Sequence, residues 1–267
     1  MSGDGSTRWV GSMPEVYARC LVPAVFRPFA RELARRAAAH GPRRVLELAA
    51  GTGVVTAELL AACPDAHVTA SDLNEAMVQL AEPRVPGATW RVADAAQPPF
   101  PPGSFDLVVC GFGVMFLPDR PAAYAQVGRV LVPHGRFLFS TWGTLADHGF
   151  ERDLVRALER LFPGDAPTFL QRVPHGYADT ARVADDLRAG GLDVVAIDTV
   201  TLEGRADGPE QIAVGYATGS PVRAELTRHG DLDTTVARLT AALTDIVGPG
   251  PLTAPMTAHV VEACRPA

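Results

Sequence analysis

The sequence predicts an α/β protein built on a doubly wound, mostly parallel sheet of seven strands, with helical cap insertions. Three observations predict it. Short apolar runs alternate with helix-patterned segments between residues 44 and 142, the rhythm of a parallel sheet covered by helices on both faces. A glycine-bearing loop, Ala49-Ala-Gly-Thr-Gly53, joins the first strand to the first helix of that series. Acidic residues follow the next two strands at Asp72 and Asp94, on the edge where open α/β sheets bind ligands.

The elements read in order as follows. Residues 14–40 pattern as helix, broken by Pro23 and Pro28, and stop at Gly41-Pro42. Arg44–Leu48 is a strand, Val54–Ala62 a helix and His67–Ser71 a strand. Asn74–Ala81 is a helix with Asp72 or Asn74 as its cap. Strands follow at Thr89–Val92 and Phe105–Cys110, then a helix over Pro121–Leu131 and a strand over Gly135–Thr141 after the turn Pro133-His134-Gly135. The second half is less regular. A helix over 151–161, a second over Ala181–Ala189, a strand over Asp193–Leu202, helical pattern over 209–247 broken at Gly219-Ser-Pro221, and a closing strand over Ala258–Cys264 complete the reading. The domain organisation expected is a helical N-terminal lid (1–40), a core (41–142), a cap insertion (143–178), core continuation (179–204), a helical insertion (205–255) and a closing strand (256–267).

Composition bounds the function. The chain has 267 residues, 47% apolar and 20% charged, as in an ordinary globular protein, and its net charge is −6. Every cationic side chain among the 24 is arginine, and these are scattered. A nucleic-acid partner needs such charges gathered on one face, so none is expected. No apolar run is long enough to span a bilayer. The polar opening MSGDGSTRWVG lacks the apolar stretch of a secretory signal, and a cytoplasmic monomer or homodimer is expected. Cys20, Cys63, Cys110 and Cys264 form no C-x-x-C pair and stand near no histidine cluster, so neither a metal nor a disulfide is expected.

Glycines between a strand and a helix let a ligand approach the backbone, and the helix behind them presents free N–H groups. The absence of lysine excludes the P-loop. The dinucleotide fingerprint is incomplete, because Thr56 stands where its third glycine belongs. By itself this loop is only a turn. Glu47 before it, Asp72 about twenty residues on and Asp94 after the third strand make a set. Asp72 is suited to a ribose diol, and Asp94 to an exocyclic adenine amine.

With these residues in view, the sequence resembles the class I S-adenosylmethionine-dependent methyltransferases, of the small-molecule type related to ubiquinone-type enzymes. The matching segments are Val45-Leu-Glu-Leu-Ala-Ala-Gly-Thr-Gly53, Ala70-Ser-Asp72-Leu-Asn74, Ala93-Asp94-Ala95 with Gln97-Pro-Pro-Phe100, Phe105–Cys110, Gly111–Asp119 and Leu131–Trp142. The resemblance covers 14–142 well and the remainder loosely. It implies a Rossmann-like methyltransferase fold and S-adenosylmethionine as cofactor. It implies that Ala49, Gly51, Thr52 and Gly53 line the methionine portion, and that Glu47 orders the ammonium end directly or through water. Asp72 would then hold the ribose, Leu73 or Met77 would pack on the adenine, and Asp94 with Ala95 would read its edge. Cys110, Gly111 and Phe112 would approach the sulfonium, and Tyr17 would cover the cofactor. Ala49 stands where a glycine is more usual, as does His134 in the turn before the fifth strand.

Methyl transfer is an in-line displacement in which a protein mainly aligns its reactants and excludes water. A base is needed only for a neutral acceptor of high pKa. His40, His67 and His134 precede strands and belong to the far edge. His148 and His175 are the candidate bases, with Asp147 as a further acid or base. Phe116, Trp142 and Tyr177 are candidate acceptor-lining residues beside Phe112. The expected acceptor is a small apolar or aromatic metabolite of secondary metabolism, methylated on O, N, C or S. The alternatives are cyclisation or decarboxylation on the same cofactor, or a non-catalytic accessory protein, because fold does not fix function.

Overall fold

The computed structural model describes residues 11–267. The first ten residues of the expected N-terminal lid lie outside the described residues. Seven strands form one sheet in the order β3-β2-β1-β4-β5-β7-β6. They are β1 (Arg44–Leu48), β2 (His67–Asp72), β3 (Thr89–Val92), β4 (Phe105–Gly111), β5 (Leu131–Trp142), β6 (Asp193–Ala206) and β7 (Leu252–Cys264). β1 pairs in parallel with β2 and β4, β2 with β3, and β4 with β5, whereas β7 runs antiparallel to β5. The chain therefore reverses strand order at β1, and the ends of β1 and β4 open side by side at the switch point.

The principal helices are α1 (Arg27–Ala38), α2 (Val54–Ala62), α3 (Glu75–Ala81), α4 (Arg120–Val130), α5 (Gly149–Leu161), α6 (Thr180–Ala189), α7 (Pro209–Gly219) and α8 (Leu232–Val247). The breaks expected at Pro23 and Pro28 do not occur. A turn at Met13–Val16 passes into a π-helix over Tyr17–Phe26 and then into α1. Arg27 N–H donates to Val22, five residues back. The wider winding takes in Pro23, which has no N–H to give, without ending the helix.

Two compact units make up the described chain. A sheet unit comprises Phe29–Gly143, Tyr177–Val200 and Ala258–Ala267. A helical unit comprises 11–28, Thr144–Gly176 and Thr201–Thr257. In the sheet unit one layer is apolar throughout: Ala30, Leu33, Ala34 and Ala37 of α1 and Val55 and Leu59 of α2 pack on Val45, Val68, Leu107 and Val109. Ala50, Ala70, Val78, Ala81 and Trp90 form a second cluster. In the helical unit α7 packs on the π-helix and α8 packs on α5 and α7.

The Pro133–Gly135 turn is absorbed into β5 as an irregularity, the register shifting between Phe105 and Leu107. His134 adopts φ 63° there, and its N–H donates to Arg265 at 3.0 Å. A left-handed non-glycine residue carries a backbone cost of roughly 1–2 kcal/mol. His134→Gly is therefore expected to raise stability by about 1 kcal/mol, read as a higher Tm, while His134→Ala leaves Tm nearly unchanged. Equal Tm values for wild type and His134→Gly would contradict this.

Candidate active site

The loop after β1 is shaped by backbone demands. Gly51 and Gly53 have φ of 56° and 86°, and Ala49 takes φ 51° without being glycine. At Ala49 the substitution is thus more than a matter of size, since strain of this kind gathers at functional loops. A Cβ on Gly51 meets no atom within 4 Å, whereas one on Gly53 meets Trp90 and Val85 at 3.1 and 3.2 Å. Gly51 thus offers bare backbone to whatever approaches the loop, and Gly53 seats it against β3. Thr52 is buried.

Asp72, at the end of β2, ties the loop down. One carboxylate oxygen accepts Gly51 N–H at 2.8 Å and the other accepts Asn74 N–H at 2.8 Å. Burial raises its pKa, and these two N–H groups oppose the rise. Asn74, rather than Asp72, caps α3, accepting from Ala76 and Met77 N–H. Leu73 beside it is 68% exposed, whereas Met77 is buried. Of the two candidate adenine-packing residues, then, only Leu73 offers open apolar surface. After β3, Ala93 N–H donates to the Asp72 carbonyl, which joins the two strand ends. Asp94 accepts Ala96 N–H at 2.8 Å, and Ala95 between them is half-buried.

Glu47 lies in β1 itself, 1% exposed. Its Oε2 accepts the Thr56 hydroxyl at 2.6 Å. Burial, opposed by Thr56 and reinforced by Asp72, pushes its pKa up to about 8. Thr56 thus has a task that the sequence pattern did not reveal, because nine residues and a loop separate it from Glu47.

At the end of β4, burial pushes the Cys110 thiol up to about 12, which favours its protonated form. Phe112 takes φ 55°, which turns its ring onto Trp142 with centroids 3.8 Å apart, while Phe29 meets both rings edge-on. A Cβ on Gly113 would strike Ala49 Cβ at 2.6 Å and Cys110 Sγ at 2.7 Å, so β1 and β4 close on each other here. Arg120 of α4 donates to the carbonyls of Val114 and Met115 and so holds the turn that presents Phe116, 39% exposed. No sequence signal marked Arg120.

Tyr177 does not line an open wall. It is fully buried. Its hydroxyl donates to Asp186 at 2.8 Å and meets the Tyr124 hydroxyl at 3.3 Å, and the Arg120 guanidinium lies 4.1 Å over its ring. The expectation of an acceptor-lining role fails because the core satisfies both its ring and its hydroxyl.

The other candidates stand in the helical unit. Tyr17 lies on the π-helix, half-buried, with its ring 5.0 Å from that of Phe26. His148 caps α5, its Nδ1 accepting Glu151 N–H at 3.3 Å. Burial lowers its pKa to about 4. The basic nitrogen of this neutral ring is therefore committed to a cap, which corrects its expected role as base. Asp147 is exposed and accepts the Thr144 hydroxyl at 2.6 Å. His175 Nε2 lies 2.5 Å from Glu151 Oε2, and the Tyr216 hydroxyl donates to Glu151 Oε1 at 2.7 Å. Burial drives the Glu151 carboxyl up, but His148, His175 and the Tyr216 hydroxyl reverse this and hold it at about 2. Glu151 and Tyr216 escaped the sequence reading, since 65 residues separate them.

A family profile described as a methyltransferase domain matches residues 45–135. A demethylmenaquinone methyltransferase of Deinococcus radiodurans is 32% identical over 65% of this chain and 78% of its own length. A malonyl-[acyl-carrier protein] O-methyltransferase of Halorhodospira halophila is 36% identical over 58% of this chain, which spans only 50% of that relative. A solved protein of Bacillus halodurans shares the fold at a TM-score of 0.58, with 16% identity over 89% of this chain and 99% of that one.

Proposed function

The chain belongs to the class I S-adenosylmethionine-dependent methyltransferases related to ubiquinone-type enzymes, and from that premise we propose that its sheet unit binds S-adenosylmethionine across the ends of β1, β2 and β3 and methylates a small apolar or aromatic metabolite. The observation that carries this is the hydrogen-bonded pair of Gly51 and Asp72, which brings an open glycine backbone and a carboxylate to one point.

The residues present fit the cofactor. Each Asp72 oxygen uses one lone pair on a backbone N–H and keeps capacity for a ribose hydroxyl. Glu47 is a buried carboxyl suited to an ammonium partner, and Leu73 offers apolar surface to an adenine ring. Asp94 and Ala95 take the adenine edge, and Ala49, Gly51, Thr52 and Gly53 the methionine portion. When bound, the group supplies a methyl carbon made electrophilic by a positive sulfur. The protein's contribution is then alignment and dryness: Cys110 and Phe112 shape the end of β4 and Phe116 supplies apolar surface for an acceptor, whereas Trp142, 2% exposed and packed on Phe112 and Phe29, does not line an open wall as expected. An acceptor that must lose a proton needs a base. His148 caps α5, and His175 is buried against Glu151 within the helical unit, so neither is assigned that task.

A small acceptor is supported by the quinone precursor named for the Deinococcus relative, and we place it in secondary metabolism. The test is a screen of phenolic, quinol and polyketide-like acceptors with methyl-labelled cofactor. One labelled methyl is expected in the product. An acceptor consumed while the labelled cofactor stays intact would instead establish cyclisation or decarboxylation chemistry.

A further inference from the structure

We propose that Glu47 stands as a neutral acid in the cofactor-free protein and gives up its proton when the cofactor's α-ammonium group settles against it, so that cofactor binding is proton-coupled. This rests on the reading that the cofactor binds at the β1 loop.

Among the described residues, none places a counter-charge on Glu47. From α2 it meets the Thr56 hydroxyl. From β2, Ser71 donates its hydroxyl to the Glu47 carbonyl rather than to the carboxyl, and Asp72 contributes a second acid. From β4 it faces the Cys110 thiol, which burial keeps protonated. α1 packs on this layer through Ala30, Leu33, Ala34 and Ala37. A carboxylate 1% exposed, with one hydroxyl and a neighbouring acid for company, is better accommodated neutral. One oxygen can accept from Thr56 while the other carries the proton. Burial accordingly lifts its pKa to about 8.

An arriving ammonium reverses that balance, because an opposite charge within hydrogen-bond reach favours the carboxylate. The proton count then depends on pH in a way that is hard to imitate. The α-amino group of S-adenosylhomocysteine sits beside a carboxylate, as in a free amino acid, so it holds its proton more tightly than a peptide terminus at about 7.7–8.0 and is protonated at pH 7. At pH 7 the separated partners hold nearly two protons, and the paired carboxylate and ammonium hold one. About one proton is therefore released at pH 7, and the release falls as pH rises through the Glu47 transition.

The experiment is calorimetric titration with S-adenosylhomocysteine, which keeps the α-amino group and is chemically stable. It is run in phosphate and in Tris at pH 7, 8 and 9, so that the dependence of heat on buffer ionisation counts protons. Release of about one proton at pH 7 that falls as pH rises to 9 is expected, with Kd tightening about tenfold between pH 6 and 7. Glu47→Gln, verified as folded by its Tm, should bind without releasing a proton at pH 7. Binding by wild type with no buffer dependence at pH 7 overturns the proton coupling and leaves the cofactor site standing. No binding at any pH overturns both.

Discussion

Asp72→Ala is expected to weaken binding of S-adenosylhomocysteine by about 100-fold or more. Two hydrogen bonds from a ribose to a charged acceptor contribute about 1.5–3 kcal/mol each, and each 1.4 kcal/mol is a factor of about ten. The loss does not stop at the ligand. Gly51 N–H and Asn74 N–H lose their acceptor, so the β1 loop is released from the end of β2. Asp72→Asn keeps one acceptor oxygen and should fall between the two. Titration calorimetry on variants of matched Tm reads the effect, and an unchanged Kd in Asp72→Ala would remove Asp72 from the ribose role.

Glu151→Ala is expected to cost about 3–5 kcal/mol of stability, the scale for removing one member of a buried charged network. It strips His175 and Tyr216 of their shared acceptor in the interior of the helical unit. The same network is expected to make wild type acid-sensitive. His148 is lowered from its ordinary 6.5 to about 4, so the stability it contributes is complete above pH 6.5 and lost as pH falls through 4. Glu151 is lowered from 4.5 to about 2, so its contribution is complete above pH 4.5 and lost as pH falls towards 2. Glu47 acts oppositely: raised to about 8, it favours the empty fold at low pH and ceases to do so as pH rises through 8. Thermal unfolding of wild type from pH 8 to 4 should show a falling Tm below pH 6.5, and Glu151→Ala, which removes the carboxylate that holds the His148 pKa up, should start lower and fall at least as steeply. A flat acid limb in wild type would contradict the account.

The sheet was readable because its signals are local. Val45, Leu46 and Leu48, or Leu107, Val108 and Val109, announce buried strands whatever surrounds them, and each helix of the first half ends at a turn or cap written in the same stretch. The acids Asp72 and Asp94 were readable for the same reason, since topology carries every strand end to one edge. What the sequence concealed depends on distant partners. Pro23 looks like a helix break until the backbone winds five residues per bond. Tyr177 looks like a pocket aromatic until Asp186, Tyr124 and Arg120 enclose it. His148 looks like a base until Glu151 N–H claims Nδ1. Glu151 itself looks like any helical surface acid, and only α7 and the turn at His175–Tyr177 make it a buried hub.

The central claim is that the Gly51–Asp72 junction holds S-adenosylmethionine, and its most direct test is a crystal structure of wild type soaked with S-adenosylhomocysteine. The account predicts ribose hydroxyls on the Asp72 carboxylate, the α-amino group at Glu47 and the adenine against Leu73. A ligand bound elsewhere, or density that leaves Asp72 and Gly51 untouched at saturating concentration, would contradict it.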